Sequence, residues 1–274
     1  MRSYTLEELM AVTLSKHLKD GEMGFVGVGT GGKAYIRAIG IPAVASRLAQ
    51  LTHAPNYTIM FGPEIDPLLD SDSIPETNWE YDLINWPCRS QMPIEDALGI
   101  FKNHKLDVGM VSGVQIDQYA NLNIVCIGDY FKPKVRLPGF LAQAELGCYA
   151  KRLVAMMKHD KRTFVEQVDF VTCPGHNRRE GLPGGGVQLI ISDLAVMDIN
   201  PQTKRMRLKS VHEGVTVDRV RENTGFELEI PENVPMTTPP TQEEKEMIRT
   251  RIDPKKKWLN ANITMQPATL EEEQ

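Results

Sequence analysis

Three short apolar runs, at residues 24–28, 57–61 and 108–111, alternate with segments of helical periodicity. Runs of four or five residues without polar alternation suit strands buried on both faces, and such strands need helices to cover them. The alternation therefore predicts an α/β fold: an open, largely parallel sheet flanked by helices. The helical segments carry their own punctuation. Thr5 and Glu8 have capping-box spacing ahead of Leu6, Leu9, Met10, Leu14 and Leu18, and Gly21 stops that run. Further helices are expected at 41–51 and 94–103, with a turn-rich stretch at 62–85.

The second half is strand-rich. Candidate strands at 153–157, 170–172, 187–192, 195–198 and 206–211 are separated by Gly184-Gly185-Gly186 and by the Asn200-Pro201 turn. A helix at 216–223 precedes a strand at 226–230, and Thr241 with Glu244 forms a second capping box before a last helix ending near Ile252. The expected division is one domain over 1–253 and a polar tail over 254–274.

Composition narrows the function. Lysine and arginine total 31 against 36 aspartates and glutamates, with both signs mixed along the chain, so the concentrated basic face of a nucleic-acid binder is missing. No apolar run is long enough to span a membrane, and the first residues have no apolar export segment, which predicts a cytoplasmic protein. Cys88, Cys126, Cys148 and Cys173 form no C-x-x-C pair, so reduced thiols are expected, with neither a disulfide framework nor a metal site.

The segment Gly27-Val28-Gly29-Thr30-Gly31-Gly32-Lys33 fits two phosphate motifs only in part. Ala34 stands where a magnesium-binding hydroxyl belongs, and no acidic residue follows about 20 positions on to hold a ribose. The six histidines lack metal spacing; His176, in a turn-rich loop, is the one most open to a functional role. The carboxylates are better placed. Glu64 and Asp66 follow the strand at 57–61, and Asp117 follows the strand at 108–111, where parallel sheets present their site loops.

These segments together resemble the B subunit of the family I CoA-transferases, in the layout of the glutaconate type. The most specific stretch is Gly113-Val114-Gln115-Ile116-Asp117-Gln118-Tyr119-Ala120-Asn121-Leu122-Asn123. Met10 to Thr13, Gly27 to Gly31, Ala54-Pro55-Asn56, Gly128-Asp129-Tyr130, Pro133-Lys134, Val168 to Gly175, Glu222 to Phe226 and Ile252-Asp253-Pro254 extend it over nearly the whole chain. The resemblance implies a heteromer with an A subunit, expected as A2B2, with the active site at their interface. It also implies an acyl-CoA substrate, with coenzyme A entering as part of that substrate and no tightly bound cofactor. Residues expected near substrate and CoA are Gly29, Thr30, Gly31, Gly62, Gln115, Asp117, Asn121, Asn123, Gly139 and Phe140.

Two departures qualify the resemblance. Family transferases carry CoA on a glutamate just after the strand that follows Ala-Pro; here that position is Gly62, and Glu64 comes two residues later, after Pro63. The family's glycine-rich G-x-G-G loop is here Pro138-Gly139-Phe140-Leu141, a bulkier and more apolar wall. Family members without the B-subunit nucleophile include steroid-ring-cleaving hydrolases and a glutaconyl-type decarboxylase. The expected chemistry is accordingly C–C bond hydrolysis or decarboxylation, with the acid–base carboxylate on the A subunit. The alternatives are true CoA transfer through Glu64, or a non-catalytic partner chain.

Overall fold

The computed structural model describes residues 3–28, 32–69, 74–75, 83–137 and 139–260. The chain divides into two compact units, one of residues 1–21, 25–94 and 240–274, the other of residues 22–24 and 95–239. The fold is the expected α/β class, with a parallel centre flanked by helices; the outer strands run antiparallel.

In the first unit the helix Leu6–Ser15 starts as the sequence predicts. Thr5 Oγ1 accepts from the Glu8 N–H and Glu8 Oε2 accepts from the Thr5 N–H at 2.8 Å. Glu8 also takes a two-pronged contact from Arg249, Nε at 2.6 Å and Nη2 at 2.7 Å. Burial pulls the Glu8 carboxyl upward, but the hydrogen bonds and charge of Arg249 and the Thr5 amide hold it below the usual carboxylate range. The second capping box is also formed, at Thr241 and Glu244, opening the helix Gln242–Met247 that carries Arg249's segment onward as a π-turn, Ile248–Ile252.

Strand β1 (Met23–Val26) leads to the helical turn Gly32–Tyr35, a π-turn at Ile36–Gly40 and the helix Ile41–Leu51. Strand β2 (Thr58–Phe61) then doubles back through Gly62-Pro63 into β3 (Glu64–Pro67), which pairs antiparallel with β4 (Cys88–Gln91). A hairpin thus replaces the start of the turn-rich stretch expected at 62–85. A two-residue connection needs a positive φ that Gly62 supplies at +59°. Asp66, also at positive φ, accepts the Ile59 N–H at 2.7 Å, which makes it part of this hairpin's frame.

Trp258, in the stretch expected as tail, belongs to this unit's core. Asp253 accepts the N–H groups of Trp258 at 3.1 Å and Leu259 at 2.9 Å, and the Trp258 ring packs beside Tyr35, Phe61 and Trp86. The Trp258 carbonyl comes so near Gly40 that a Cβ there would meet it at 2.0 Å, so only glycine fits. The rest of the expected tail, 261–274, lies outside the described residues.

The second unit holds strands β5 (Val108–Val111), β10 (Arg152–Met157), β11 (Val187–Ser192), β12 (Ala195–Ile199) and β13 (Met206–Val211), in the spatial order β13-β12-β11-β10-β5. The first three of these in sequence are parallel and the last two antiparallel. Two small hairpins follow β5: β6 (Gln115–Ile116) with β7 (Leu122–Asn123), and β8 (Cys126–Ile127) with β9 (Val135–Arg136). Strands expected at 170–172 and 226–230 are loops; the adjoining Cys173 makes a single bridge to Leu122, and Glu229 a single bridge to Arg207. Apolar content alone does not give a segment a partner edge along its length.

Candidate functional site

The site residues expected from the sequence fall in both units. Gly29, Thr30 and Gly31 lie outside the described residues. Gly62 forms the bend of the β2–β3 hairpin. A Cβ on it would lie 2.8 Å from Val28 Cγ1, closer than real Cβ contacts come, and 3.2 Å from Val28 Cγ2, tighter than most. Glu64 is only 2 % exposed, the first residue of β3, and faces Gln91 across the sheet. Its Oε2 lies 3.6 Å from the same Cβ position. The hairpin bend therefore brings the carboxylate back beside the space that residue 62 leaves open. Cys88, the strand neighbour of Pro67, feels this group: burial first, then the Glu64 charge, pushes its thiol up.

In the second unit the structure brings Gln115, Asp117, Asn121 and Asn123 together. Asn123 is fully buried. Its Nδ2 donates to Gln115 Oε1 and to the Cys126 carbonyl, both at 2.7 Å, and its Oδ1 accepts the Val125 N–H at 2.9 Å. Gln115 in turn donates from Nε2 to Asp169 Oδ2 at 3.0 Å, while its Oε1 accepts the Asp169 N–H. Asp169 Oδ2 also accepts the Gly128 N–H at 2.9 Å, which ties the second small hairpin to the first.

Asp117 accepts from the backbone of Tyr119 and Asn121 and from Asn121 Nδ2 at 2.8 Å. Asn121 Oδ1 takes the Gly175 N–H at 2.7 Å, and Asn177 Oδ1 takes an Asn121 Nδ2 proton. Burial pushes the Asp117 carboxyl up against the pull of these hydrogen bonds. The left-handed residue of the turn is Ala120, φ +61°. The chemical sense of the arrangement is a frame: every amide and carboxylate here is spent on holding loops, as buried polar groups require.

Gly139 sits at φ +127° with open space around its Cβ position, and Phe140 and Leu141 beside it are exposed apolar groups. Sequence reasoning missed Asp169 and Asn177, which stand 54 and 56 residues from their partners, so no local spacing could announce them. His176 donates from Nε2 to the Val187 carbonyl at 2.7 Å. Among the described residues no three His, Cys, Asp or Glu side chains group as a metal site, and no helix is long and apolar enough to cross a membrane.

Comparison with known proteins supplies the context. The chain is 33% identical to the B subunit of 3-oxoadipate CoA-transferase of Pseudomonas knackmussii, over 91% of this chain and 94% of the relative. It is 30% identical to the cholesterol ring-cleaving hydrolase IpdB subunit of Mycobacterium tuberculosis, over 78% of this chain and 84% of the relative. Its structure matches the crystal structure of glutaconate coenzyme A-transferase from Acidaminococcus fermentans with a TM-score of 0.78 and 30% identity, covering 94% of this chain and 98% of that one. The family model described as coenzyme A transferase matches residues 7–223. With that span of the sequence and a shared fold, the chain belongs to the coenzyme A transferase family.

Proposed function

We propose that this chain is the B-type half of a heteromeric enzyme that cleaves a C–C bond of a carboxyl-bearing acyl-CoA, by ring-opening hydrolysis or decarboxylation. In this reading coenzyme A arrives as part of the substrate, the chain shapes the acyl pocket, and an A-type partner carries the acid–base carboxylate. An A2B2 assembly in the cytoplasm is the arrangement expected for it. The observation that carries the reading is the state of position 62: glycine, with the Val28 side chain 2.8 Å from where a Cβ would be. A side chain at this position would have to displace Val28, and a glycine cannot act as a nucleophile. The similarity to a ring-cleaving hydrolase chain supports the same direction.

CoA transfer through Glu64 is the second reading, favoured by the 3.6 Å approach of its Oε2 to the position-62 space and by the similarity to a CoA-transferase chain. The two readings differ in one covalent species. Transfer requires a glutamyl-CoA thioester on Glu64; C–C cleavage by the partner's carboxylate does not. The test is to incubate the purified heteromer with acyl-CoA, trap with borohydride or hydroxylamine, and map this chain by mass spectrometry. Turnover with an unlabelled Glu64 is the expected result. A reduced or hydroxamate-bearing Glu64 would overturn C–C cleavage in favour of transfer. If the partner's rates are the same with and without this chain, it has no share in the chemistry.

A further inference from the structure

A cavity of about 390 Å³ opens in the second unit, where Gly184-Gly185 lead into β11 and the turn between β12 and β13 comes over them. Its charged walls are of one sign. Arg179 and Lys204 line it together with His176 and Gln188, and no aspartate or glutamate is among its lining residues. Arg179 is held by carbonyl groups: Nη1 donates to Gly147 and Pro174 at 3.0 Å each, and Nε and Nη2 donate to Gly184 at 3.1 and 2.6 Å. Carbonyl dipoles fix the guanidinium without cancelling its charge, and one Nη2 proton stays uncommitted among the described residues.

The carboxylate nearest in sequence on β12, Asp198, is taken by Arg207 and Lys209, and Glu229 is bonded to Asn200. His176, with Nε2 on the Val187 carbonyl, presents Nδ1 as its remaining polar atom. Burial first, and then the charges of Arg179 and Lys204, hold its imidazole below the usual histidine range, which registers the cationic field inside the cavity.

We infer that this cavity binds a phosphate monoester or free phosphate, a dianion whose oxygens are divided among Lys204, Arg179 and Gln188. Two like charges facing one concave space repel each other, and a dianion removes that repulsion while using the donors that remain. A single carboxylate would leave one cation unmatched. The loop that provides His176 and Arg179 also provides Asn177 to the Asp117–Asn121 frame, so occupancy would stiffen that frame. The phosphate can come from the 3′-phosphate of a CoA substrate or from a free phosphate. The first source rests on the proposed function; the anion site does not.

The experiment titrates the purified full chain, in the complex it forms, with inorganic phosphate against chloride at matched ionic strength, read by thermal shift and 31P NMR. Phosphate should raise Tm and broaden its resonance, and Lys204→Glu should weaken binding at least tenfold. Lys204 has φ +63° in an exposed turn, so Lys204→Asn, which suits that backbone, checks the loss of charge without strain; Lys204→Arg should keep binding. Coenzyme A and dephospho-CoA, which lacks only the 3′-phosphate, separate the sources. If Lys204→Glu weakens CoA but not dephospho-CoA, the substrate provides the phosphate; if it weakens inorganic phosphate alone, a free phosphate does. Phosphate binding no stronger than chloride, or equal in Lys204→Glu and the unaltered chain, would overturn the site. Absence of acyl-CoA turnover would count against the proposed function only.

Discussion

Glu64 Oε2 lies 3.6 Å from the point at which a side chain on Gly62 would begin. Two residues apart in sequence, these positions are brought together because Gly62-Pro63 closes a two-residue hairpin and β3 returns along β2. The carboxylate and the space beside it are parts of one bend, so substitutions on either side of it should couple.

Gly62→Ala should lower stability through two separable effects. The left-handed backbone costs an L-residue about 1–2 kcal/mol, and the new methyl meets Val28 at 2.8 Å. Adding Val28→Ala should recover the steric part and leave the backbone part. A thermal-denaturation cycle over the four proteins measures the coupling; strict additivity would refute the contact.

Asn123→Ala should cost about 2–4 kcal/mol, because it leaves the Gln115 carbonyl oxygen short of one donor and buried backbone groups of residues 125 and 126 without partners. Asp169→Asn should cost less, since one oxygen still accepts from Gly128. Both are measured by urea unfolding. Turnover that drops further than the folded fraction would give the frame a direct part in the reaction.

His159 should make stability fall as the solution is acidified. Its ring stacks on Phe164 at 3.9 Å, with Nδ1 at 2.8 Å from Ser192 Oγ and Nε2 at 3.1 Å from Thr224 Oγ1. Burial, only partly offset by Asp193 and Asp160, drops its pKa from 6.5 to about 4. A native pKa below the unfolded one means that the unfolded chain takes the proton first. Stability from this group is complete above about pH 6.5 and is lost as pH falls toward 4, by about 3 kcal/mol. In His159→Gln that increment of pH dependence should vanish from the denaturation profile.

Trp258→Ala should destabilise the first unit by about 3–5 kcal/mol, the usual cost of deleting a buried aromatic, since the ring is 2 % exposed against Phe61, Trp86 and Tyr35. Trp258→Phe should cost much less, because the indole N–H it removes makes no hydrogen bond among the described residues. Equal losses for the two variants, by calorimetry, would show that packing is not the cause.

Local chemistry decided what the sequence could tell. Both capping boxes, the helix Ile41–Leu51 and the strands Val108–Val111, Val187–Ser192 and Met206–Val211 lie where periodicity and end residues put them, because each depends on neighbours within a few positions. The clustering of polar residues at 115–123 was legible for the same reason, as was the resemblance that runs through it. What the sequence left open depends on distant partners. Asp169 reaches Gln115 across 54 residues, and Trp258, within an apparently polar tail, is buried in the core, with Asp253 holding its backbone. Glu64 reads as a loop carboxylate until the Gly62 bend makes it the buried start of a strand. Register, burial and the sharing of one space by two side chains are set only when strands pair, and pairing is a property of the folded chain.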